Sequence, residues 1–427
     1  MFPNVPLYLS AGEASESPPG VLVQTPAWLR GLQVGPALKA AARAQVRSCC
    51  VPAAMPKLLQ LLFLLLLLLN ALACSILATL SWKPGRDHGA LFKPRTRASF
   101  WNREQRRLDL SGPRPDSCRA DRRAVTQVWD YNTLPRSLQD FLLYMHCRKS
   151  DVVIAPSLGC RRADPFLLLA VKSLVPHFGR RQAIRQTWGR AGVHANRTVA
   201  IVFLLGRTPP EDHHPNLQGM LGREAELHGD LLQWEFRETA LNLSLKEALF
   251  LQWFRRNCPR ARFVLEAHDD TFVNTFRVLD FLESLPRTGR DFLFVSDVVL
   301  NGRPAADRAL PDFVPPSVFT GTYPPRVASG GFLLSGALAL RLHDVSRRVL
   351  LFPVHEVYEG LCLRKLGLIP QKHPGFAARK VHRNGEGKDG EDACAHTKSM
   401  VVDGRTAQEM LRMWKTCAWT ERSNAKE

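Results

Sequence analysis

The chain has 427 residues, of which 45% are hydrophobic and 23% are charged, and its formal net charge is +19. This balance is typical of a globular protein and excludes an intrinsically disordered chain. The basic excess is spread thinly and does not form a recognition helix, so we expect no nucleic-acid partner.

The first distinctive element is a charge-free apolar stretch at residues 58–80. It is long enough to cross about 30 Å of hydrocarbon as a helix, whereas a cleaved signal peptide would have a shorter apolar core. We therefore predict a transmembrane signal anchor, preceded by a cytoplasmic tail at 1–57. Met55 is an alternative start.

Cysteines and sequons add support for a secretory route. Of ten cysteines, seven follow the anchor and none form a Cys-x-x-Cys pair, which favours disulfides over zinc. An odd number leaves at least one unpaired or bonded to another chain. Asn196 and Asn242 begin acceptor sequons for N-glycosylation.

After the anchor, residues 81–140 are rich in Pro, Arg and Ser and lack apolar periodicity, which predicts a stem. From 141 to 420, buried-strand and helix patterns alternate, and 421–427 form a short tail. Continuous apolar strands separated by helices indicate an α/β domain with a parallel or mixed sheet covered on both faces. Strands are predicted at 165–173, 199–206, 231–236, 263–267, 292–299 and 331–336, and helices at 178–189, 243–258 and 355–368.

The stretch "RFVLEAHDD" contains a predicted strand and ends in His268 and two adjacent acids, Asp269 and Asp270. Ligands of open α/β sheets bind beyond the carboxyl ends of the strands. Two carboxylates there would repel each other unless a cation neutralised them, and Mn²⁺ or Mg²⁺ would suit oxygen ligands. A turn or helix N-cap is the alternative, because Asp is common in both.

Other polar residues fit a site of this kind. Arg180, Arg181 and Arg185 follow the first strand, where guanidinium groups suit a diphosphate, although a solvated helix face is an equal interpretation. Glu356 opens a helix and is either a partner of the helix dipole or a general base. The common protease, NTPase, hydrolase and dinucleotide motifs are absent from the sequence.

Seven stretches in this order resemble glycosyltransferase family 31, the β-1,3-glycosyltransferases. They read FLLLAVKS, RRQAIRQTWG, VFLLG, LNLSLKEALFLQWF, FVLEAHDDTFVN, YPPRVASGGFLLSG and VYEGLCLRKLGL. Within the family, the chain is most similar to the β-1,3-N-acetylglucosaminyltransferases that extend poly-N-acetyllactosamine. The resemblance implies a type II Golgi membrane protein with a Rossmann-like GT-A domain facing the lumen. The implied donor is UDP-GlcNAc, the metal Mn²⁺, and the acceptor a galactose-terminated glycan.

The resemblance also implies roles for individual residues. Asp270 and Asp403 fall on metal-ligand positions, and Glu356 falls on the position of the catalytic base. The remaining positions belong to nucleotide-sugar binding and are Arg180, Arg181, Arg185, His268 and Asp269.

Several positions depart from the family pattern. His268 and His355 replace acids, Glu356 is one methylene longer than aspartate, and Asp403 replaces a histidine. The loop at 326–331 has fewer glycines than is usual in the family. An active N-acetylglucosaminyltransferase is the leading hypothesis. One alternative is a β-1,3-galactosyltransferase, and another is a weakly active family member that acts as a partner or activator of another glycosyltransferase. We also expect a homo- or hetero-oligomer with other glycosyltransferases.

Overall fold

The computed structural model describes residues 61–62, 65–73, 98–112, 118–157, 160, 164–208, 216–286, 291–305, 307–308, 310, 312–377 and 399–416. The chain divides into two compact units, Met1–Arg95 and Thr96–Glu427. In the first unit, residues 65–73 are helical. Within the described ranges, no helix combines the length and apolarity needed to cross a membrane. The predicted tails at 1–57 and 421–427, and part of the predicted span at 58–80, lie outside the described residues.

The second unit is a mixed α/β structure, as the alternating pattern predicts. Its α-helices are α1 Phe100–Ser111, α2 Arg123–Gln127, α3 Arg136–Tyr144, α4 Phe178–Gln186, α5 Leu217–His228, α6 Leu243–Asn257, α7 Thr275–Ser284, α8 Gly336–Ser346, α9 His355–Lys365 and α10 Ala407–Thr416. Its strands are β1 Val152–Ile154, β2 Leu167–Lys172, β3 Gly192–His194, β4 Arg197–Arg207, β5 Leu231–Arg237, β6 Phe263–His268, β7 Phe272–Val273, β8 Phe294–Val299, β9 Arg326–Ser335, β10 Gln371–Lys372, β11 Phe376–Ala377 and β12 Val401–Val402.

The strands form one large mixed sheet and one small sheet. The large sheet has the order β1-β5-β4-β2-β6-β9-β8-β10, and β3 pairs with β4 beside it. Strands β5, β4, β2 and β6 run parallel, so their carboxyl ends share one edge, and β9 runs antiparallel to β6 and β8. The small sheet has the order β11-β12-β7 and joins distant parts of the chain.

Two hydrophobic cores cover the two faces of the large sheet. Leu168 and Ala170 of β2 belong to one core, and Leu167, Leu169 and Val171 belong to the other. Successive side chains of a strand point to opposite faces, so a strand buried on both faces is apolar throughout. This is why β2 was recognisable from its sequence.

The folded unit begins earlier than the predicted domain boundary at residue 141. Helix α1, within the predicted stem, buries Phe100 and Trp101 almost completely. The indole Nε1 of Trp101 donates to the carbonyl oxygen of Leu351 over 3.0 Å, and its ring packs edge-on against Phe319 and Phe352. Residues 98–112 and 118–140 are therefore part of the folded unit where they were predicted to be stem.

Disulfides are present, as the cysteine pattern predicts. Cys118 pairs with Cys147 and Cys160 pairs with Cys258, while Cys362 is a buried free thiol. Cys394 and Cys417 lie outside the described residues.

The two predicted glycosylation sites differ in environment. Asn196 is exposed in the turn between β3 and β4, with a φ of 60°. Asn242 is half-buried, and its Nδ2 donates to the carbonyl oxygen of Arg237 over 2.8 Å. Among the described residues no side-chain hydrogen bond would be disturbed by a glycan at Asn196, whereas a glycan at Asn242 would replace one hydrogen of the Nδ2 that donates to Arg237.

Candidate active site

The carboxyl edge of the parallel strands brings two distant acids together. Asp270 follows β6, and Asp403 follows β12, which pairs with β7 directly after Asp270. The backbone N–H of Arg405 donates to the carbonyl oxygen of Asp270 over 2.5 Å. Gly330 of β9 lies so close that a Cβ there would be 3.1 Å from the Cβ of Asp403. The small sheet therefore brings both predicted metal ligands to the same part of the carboxyl edge.

The charges at this point suit a cation. Burial raises the pKa of Asp270, and the carboxylates of Asp403 and Asp269 raise it further. A positive ion between the carboxylates would offset both the burial and the repulsion. Carboxylate oxygens are ligands that Mn²⁺ and Mg²⁺ accept, so the donor set fits such an ion.

Asp269 is turned inward, towards protein donors. It is buried and accepts hydrogen bonds from Ser173 Oγ over 2.7 Å and from Arg180 Nη1 over 3.0 Å, and it pairs with His177 Nδ1 at 2.7 Å. Burial opposes its ionisation, but the bonds from His177, Ser173 and Arg180 lower its pKa overall. The predicted direct contact of Asp269 with a nucleotide sugar has no support in this geometry. Its carboxylate instead positions Arg180, whose side chain remains 35% exposed.

Arg181 differs from its prediction as a donor-binding residue. It is fully buried, with 0% of its surface exposed. Its guanidinium donates to both oxygens of Glu224, to Ser173 Oγ, and to the carbonyl oxygens of Leu174 and Val175. A guanidinium has five N–H donors, and these acceptors occupy all of them. Arg181 therefore joins α4 to α5 and to the end of β2, and it has no donor left for a ligand.

Arg185 has a similar structural role. Its Nε and Nη2 donate to the two oxygens of Asp230, and its Nη1 pairs with Glu224 Oε1 at 2.7 Å. The guanidinium also lies over the ring of Phe203, 4.8 Å from its centroid. Of the three predicted donor-binding arginines, only Arg180 has a substantially exposed side chain.

The candidate base, Glu356, lies in a cleft beside Asp270 and Asp403. Glu356 lines it together with His268, Gly330 and Gly331. Burial opposes the ionisation of Glu356, but the charge of His355 and the backbone N–H of Glu356 at the start of α9 lower its pKa overall. Glu356 is therefore ionised at neutral pH and can accept a proton.

His268 is uncharged beside this base. Burial lowers its pKa to about 3, and the positive charges of Lys172 and His355 act in the same direction. A neutral imidazole can exchange hydrogen bonds with a sugar hydroxyl, so the geometry is compatible with its predicted contact to the donor.

The floor of the cleft is a buried cluster of charged groups that the sequence did not reveal. Lys172 Nζ lies 3.0 Å from Glu247 Oε2, 2.8 Å from Glu266 Oε2 and 2.8 Å from His355 Nε2. His355 Nε2 in turn lies 2.7 Å from Glu359 Oε1. Burial and the neighbouring charge of Glu247 raise the pKa of Glu266. Burial also raises the pKa of Glu359, against the opposing effect of the positive charges of His355 and Lys172.

This cluster contains a rival metal site. Glu247, His355 and Glu359 each offer one ligand atom, and these atoms lie within 4.8 Å of one another. The ammonium of Lys172, however, is within 3.7 Å of both carboxylates and of the imidazole. The ammonium of Lys172 thus occupies the place that a cation would take, which makes this triad less suited to a metal ion than the acids at the carboxyl edge.

The cluster predicts a pH dependence of stability. Burial disfavours the charged form of His355, but Glu359 and Glu247 outweigh this and raise its pKa to about 9 from 6.5. Its stabilising effect is complete below about pH 6.5 and is lost as pH rises through 9. Between pH 6.5 and 9, the wild type should therefore lose up to about 3 kcal/mol of unfolding free energy that the His355→Gln variant does not lose. Urea unfolding of both proteins at several pH values measures this difference.

His343 supplies the control for this experiment. Burial lowers its pKa below the ordinary value of 6.5, so it is mostly neutral at pH 7 and above in both the folded and unfolded states. The wild type and His343→Gln should therefore differ by the same amount at pH 7 and pH 9. A pH-independent difference between the wild type and His355→Gln would contradict the assigned charge of His355.

Among the residues of this cluster, Lys172 could have been predicted from its position at the end of a strand. Lys172 ends strand β2, just as His268 ends β6, so the rule about carboxyl edges applies to both strands. Glu247 and Glu359 are helix residues that approach the cleft only through packing. No local pattern distinguishes them from solvent-exposed glutamates.

Comparison with known proteins places this geometry in a family. A model described as Galactosyltransferase matches residues 179–374. N-acetyllactosaminide beta-1,3-N-acetylglucosaminyltransferase 2 of Mus musculus is 43% identical over 78% of this chain and 85% of its own length. The human protein of the same name is 44% identical over 74% of this chain and 83% of its own length. The chain belongs to the galactosyltransferase family.

A further relative lies in the same group by name. Acetylgalactosaminyl-O-glycosyl-glycoprotein beta-1,3-N-acetylglucosaminyltransferase of Homo sapiens is 41% identical over 67% of this chain and 75% of its own length. Membership of the galactosyltransferase family confirms the resemblance drawn from the seven stretches. The range matched by the family model includes Asp270 and Glu356 and ends before Asp403.

Proposed function

We propose that the protein is an inverting β-1,3-N-acetylglucosaminyltransferase that moves GlcNAc from UDP-GlcNAc to O3 of a terminal β-galactose, extending poly-N-acetyllactosamine. The observation that carries this proposal is the position of Glu356 in one cleft with His268 and Gly330, beside Asp270 and Asp403. The names of the relatives support this choice of donor and acceptor. A GT-A fold, a single-pass type II anchor and a Golgi lumenal location belong to the same proposal.

The chain's own residues account for the proton and the orientation of the substrates. The Glu356 carboxylate accepts the proton of the O3 hydroxyl as O3 bonds to the anomeric carbon and the bond from that carbon to the diphosphate oxygen breaks. A single displacement inverts the anomeric configuration. Arg180, fixed by Asp269, supplies positive charge for UDP. A Mn²⁺ ion held by Asp270 and Asp403 would neutralise charge on the departing diphosphate.

A turnover assay tests the proposed function. The purified protein should release UDP from UDP-GlcNAc in the presence of N-acetyllactosamine and Mn²⁺, and it should lose this activity in excess EDTA. UDP-galactose in a parallel reaction tests the galactosyltransferase alternative. Transfer that persists in excess EDTA would rule out the metal.

A second candidate function is that of a partner or activator of another glycosyltransferase. The departures of His355, Glu356 and Asp403 from the family pattern favour it, because they alter the catalytic acidic pair and a metal-ligand position. Assays of the protein alone and mixed with an active relative separate the two functions. Stimulation seen only in the mixture would favour the partner role.

Removing either acid should abolish stabilisation by metal and nucleotide. With free Mn²⁺–UDP at 100 times its Kd, the folded state should gain about 2.7 kcal/mol, measured as a rise in Tm. Asp270→Asn and Asp403→Asn should each lose most of this gain. Asp344→Asn, at an exposed pair with Arg255, is the control and should keep it. An equal gain in all four proteins would place the ion elsewhere.

A further inference from the structure

Arg326 lies beside the candidate base and is not used in the reaction described above. It begins β9, the strand whose later residues Val327, Gly330 and Gly331 line the cleft. Its Cβ would be 3.3 Å from a Cβ on Gly360 of α9, so the strand and the helix touch there.

The contact places Arg326 near Glu356. Gly360 lies four residues after Glu356 on α9 and therefore shares its helix face. The positive charge of Arg326 favours the ionised form of Glu356, as expected of a close neighbour.

The side chain of Arg326 is held in place but is not satisfied. Its Nε is buried and has no hydrogen-bond partner among the described residues. A Cβ on Gly302 would be 3.3 Å from that Nε, so the absence of a side chain at Gly302 leaves room for the guanidinium. The guanidinium also lies 5.9 Å from the centroid of the Tyr323 ring.

A second unsatisfied donor lies next to it. The hydroxyl of Tyr323 is buried and likewise has no hydrogen-bond partner within the described part of the chain. A buried polar group without a partner is destabilising, and such groups are uncommon in folded proteins. Two of them on neighbouring side chains, next to the strand that lines the cleft, point to a ligand that supplies acceptors.

Nearby acids do not fill this role in the described structure. Arg326 acts electrostatically on Glu356, and Asp312 acts on Tyr323, but among the described residues neither acid forms an ion pair with Arg326. A ligand that satisfied a guanidinium best would carry a planar carboxylate or a sulfate, since both accept paired N–H donors.

We propose that Arg326 and Tyr323 form an acceptor subsite that binds an anionic group, a carboxylate or a sulfate ester, on the glycan whose hydroxyl faces Glu356. This rests on the proposed function, because Glu356 marks where the acceptor lies. Arg326 and Tyr323 thus determine specificity, and they make an acidic glycan a better acceptor than a neutral one.

Equilibrium binding tests the subsite without requiring turnover. Neutral N-acetyllactosamine, the same disaccharide with one sulfate ester, and a uronic-acid analogue are titrated calorimetrically into the full-length protein with Mn²⁺ and UDP. One charge-assisted contact predicts that at least one anionic sugar binds about tenfold tighter than the neutral one. The two anionic sugars distinguish sulfate from carboxylate.

Variants assign any preference to the subsite. Arg326→Gln should abolish the preference, Tyr323→Phe should reduce it, and Arg256→Gln should keep it. Arg256 is an exposed arginine near the end of α6, at the opposite edge of the sheet, and its replacement changes the net charge equally. Arg326→Lys keeps the charge without the paired donors and should give an intermediate preference, which provides a result if Arg326→Gln fails to fold.

The outcomes separate this subsite from the proposed function. Equal binding of all three sugars by the wild type, or a preference that survives in Arg326→Gln and Arg326→Lys, would overturn the subsite. If an anionic sugar binds as expected but no GlcNAc is transferred, the subsite stands and the proposed function fails.

Discussion

Replacing Glu356 with glutamine should lower the rate of sugar transfer by about 10²–10⁴-fold, the usual contribution of a general base. The amide keeps the size and hydrogen-bonding reach of the side chain but cannot accept the proton of the acceptor hydroxyl. Binding of UDP should change little, because the nucleotide is proposed to contact Arg180 and a metal ion held by Asp270 and Asp403. Single-turnover transfer and UDP titration measure the two effects separately.

A glutamate outside the cleft provides the control for this variant. Glu235 pairs with Arg207 on the surface, and Glu235→Gln should leave both quantities unchanged. If purified Glu356→Gln transferred GlcNAc at the wild-type rate, the base would have to be another group.

The second large effect separates two neighbouring arginines. Arg181→Met should lower the unfolding free energy by about 3–5 kcal/mol, because it leaves the buried charge of Glu224 with a single partner, Arg185. Arg180→Met should lower it by about 1 kcal/mol or less, since the Arg180 side chain is 35% exposed, and it should weaken UDP binding instead. Urea unfolding and UDP titration of both variants measure the contrast.

The opposite result would restore the role predicted from sequence. If Arg181→Met kept wild-type stability and lost UDP binding, the described contacts of Arg181 with Glu224 could not be its main role. Glu224→Gln offers an independent check, because it should also destabilise the protein without changing the cleft.

Sequence predicted the sheet well because its strands are buried on both faces. Runs such as that of β2 have no polar alternation, and only a central strand of a covered sheet accepts such a run. The position of His268, Asp269 and Asp270 at a carboxyl edge followed from the same strand order. The predicted strand order was therefore enough to indicate at which edge of the sheet the cleft lies.

Side-chain direction was harder to predict than position. Arg181 and Arg185 share a helix face by their spacing, but spacing cannot tell whether that face meets solvent or the acids Glu224 and Asp230. Asp269 likewise adjoins Asp270 in sequence but turns towards Ser173 and its neighbours. Such choices depend on packing between elements that are far apart along the chain.

Helix α1 was missed for a related reason. Its sequence is mostly polar, and only a few apolar side chains, including Phe100 and Trp101, enter the core. The ring partners of Trp101, Phe319 and Phe352, are more than 200 residues away, so no local pattern could indicate a buried helix.

The position of manganese in crystals soaked with Mn²⁺ and UDP is the most direct measurement. An anomalous difference peak between the carboxylates of Asp270 and Asp403, with the diphosphate beside it, is the predicted result. A peak among Glu247, His355 and Glu359 instead, or no peak at the carboxyl edge at saturating Mn²⁺, would contradict the proposed catalytic site.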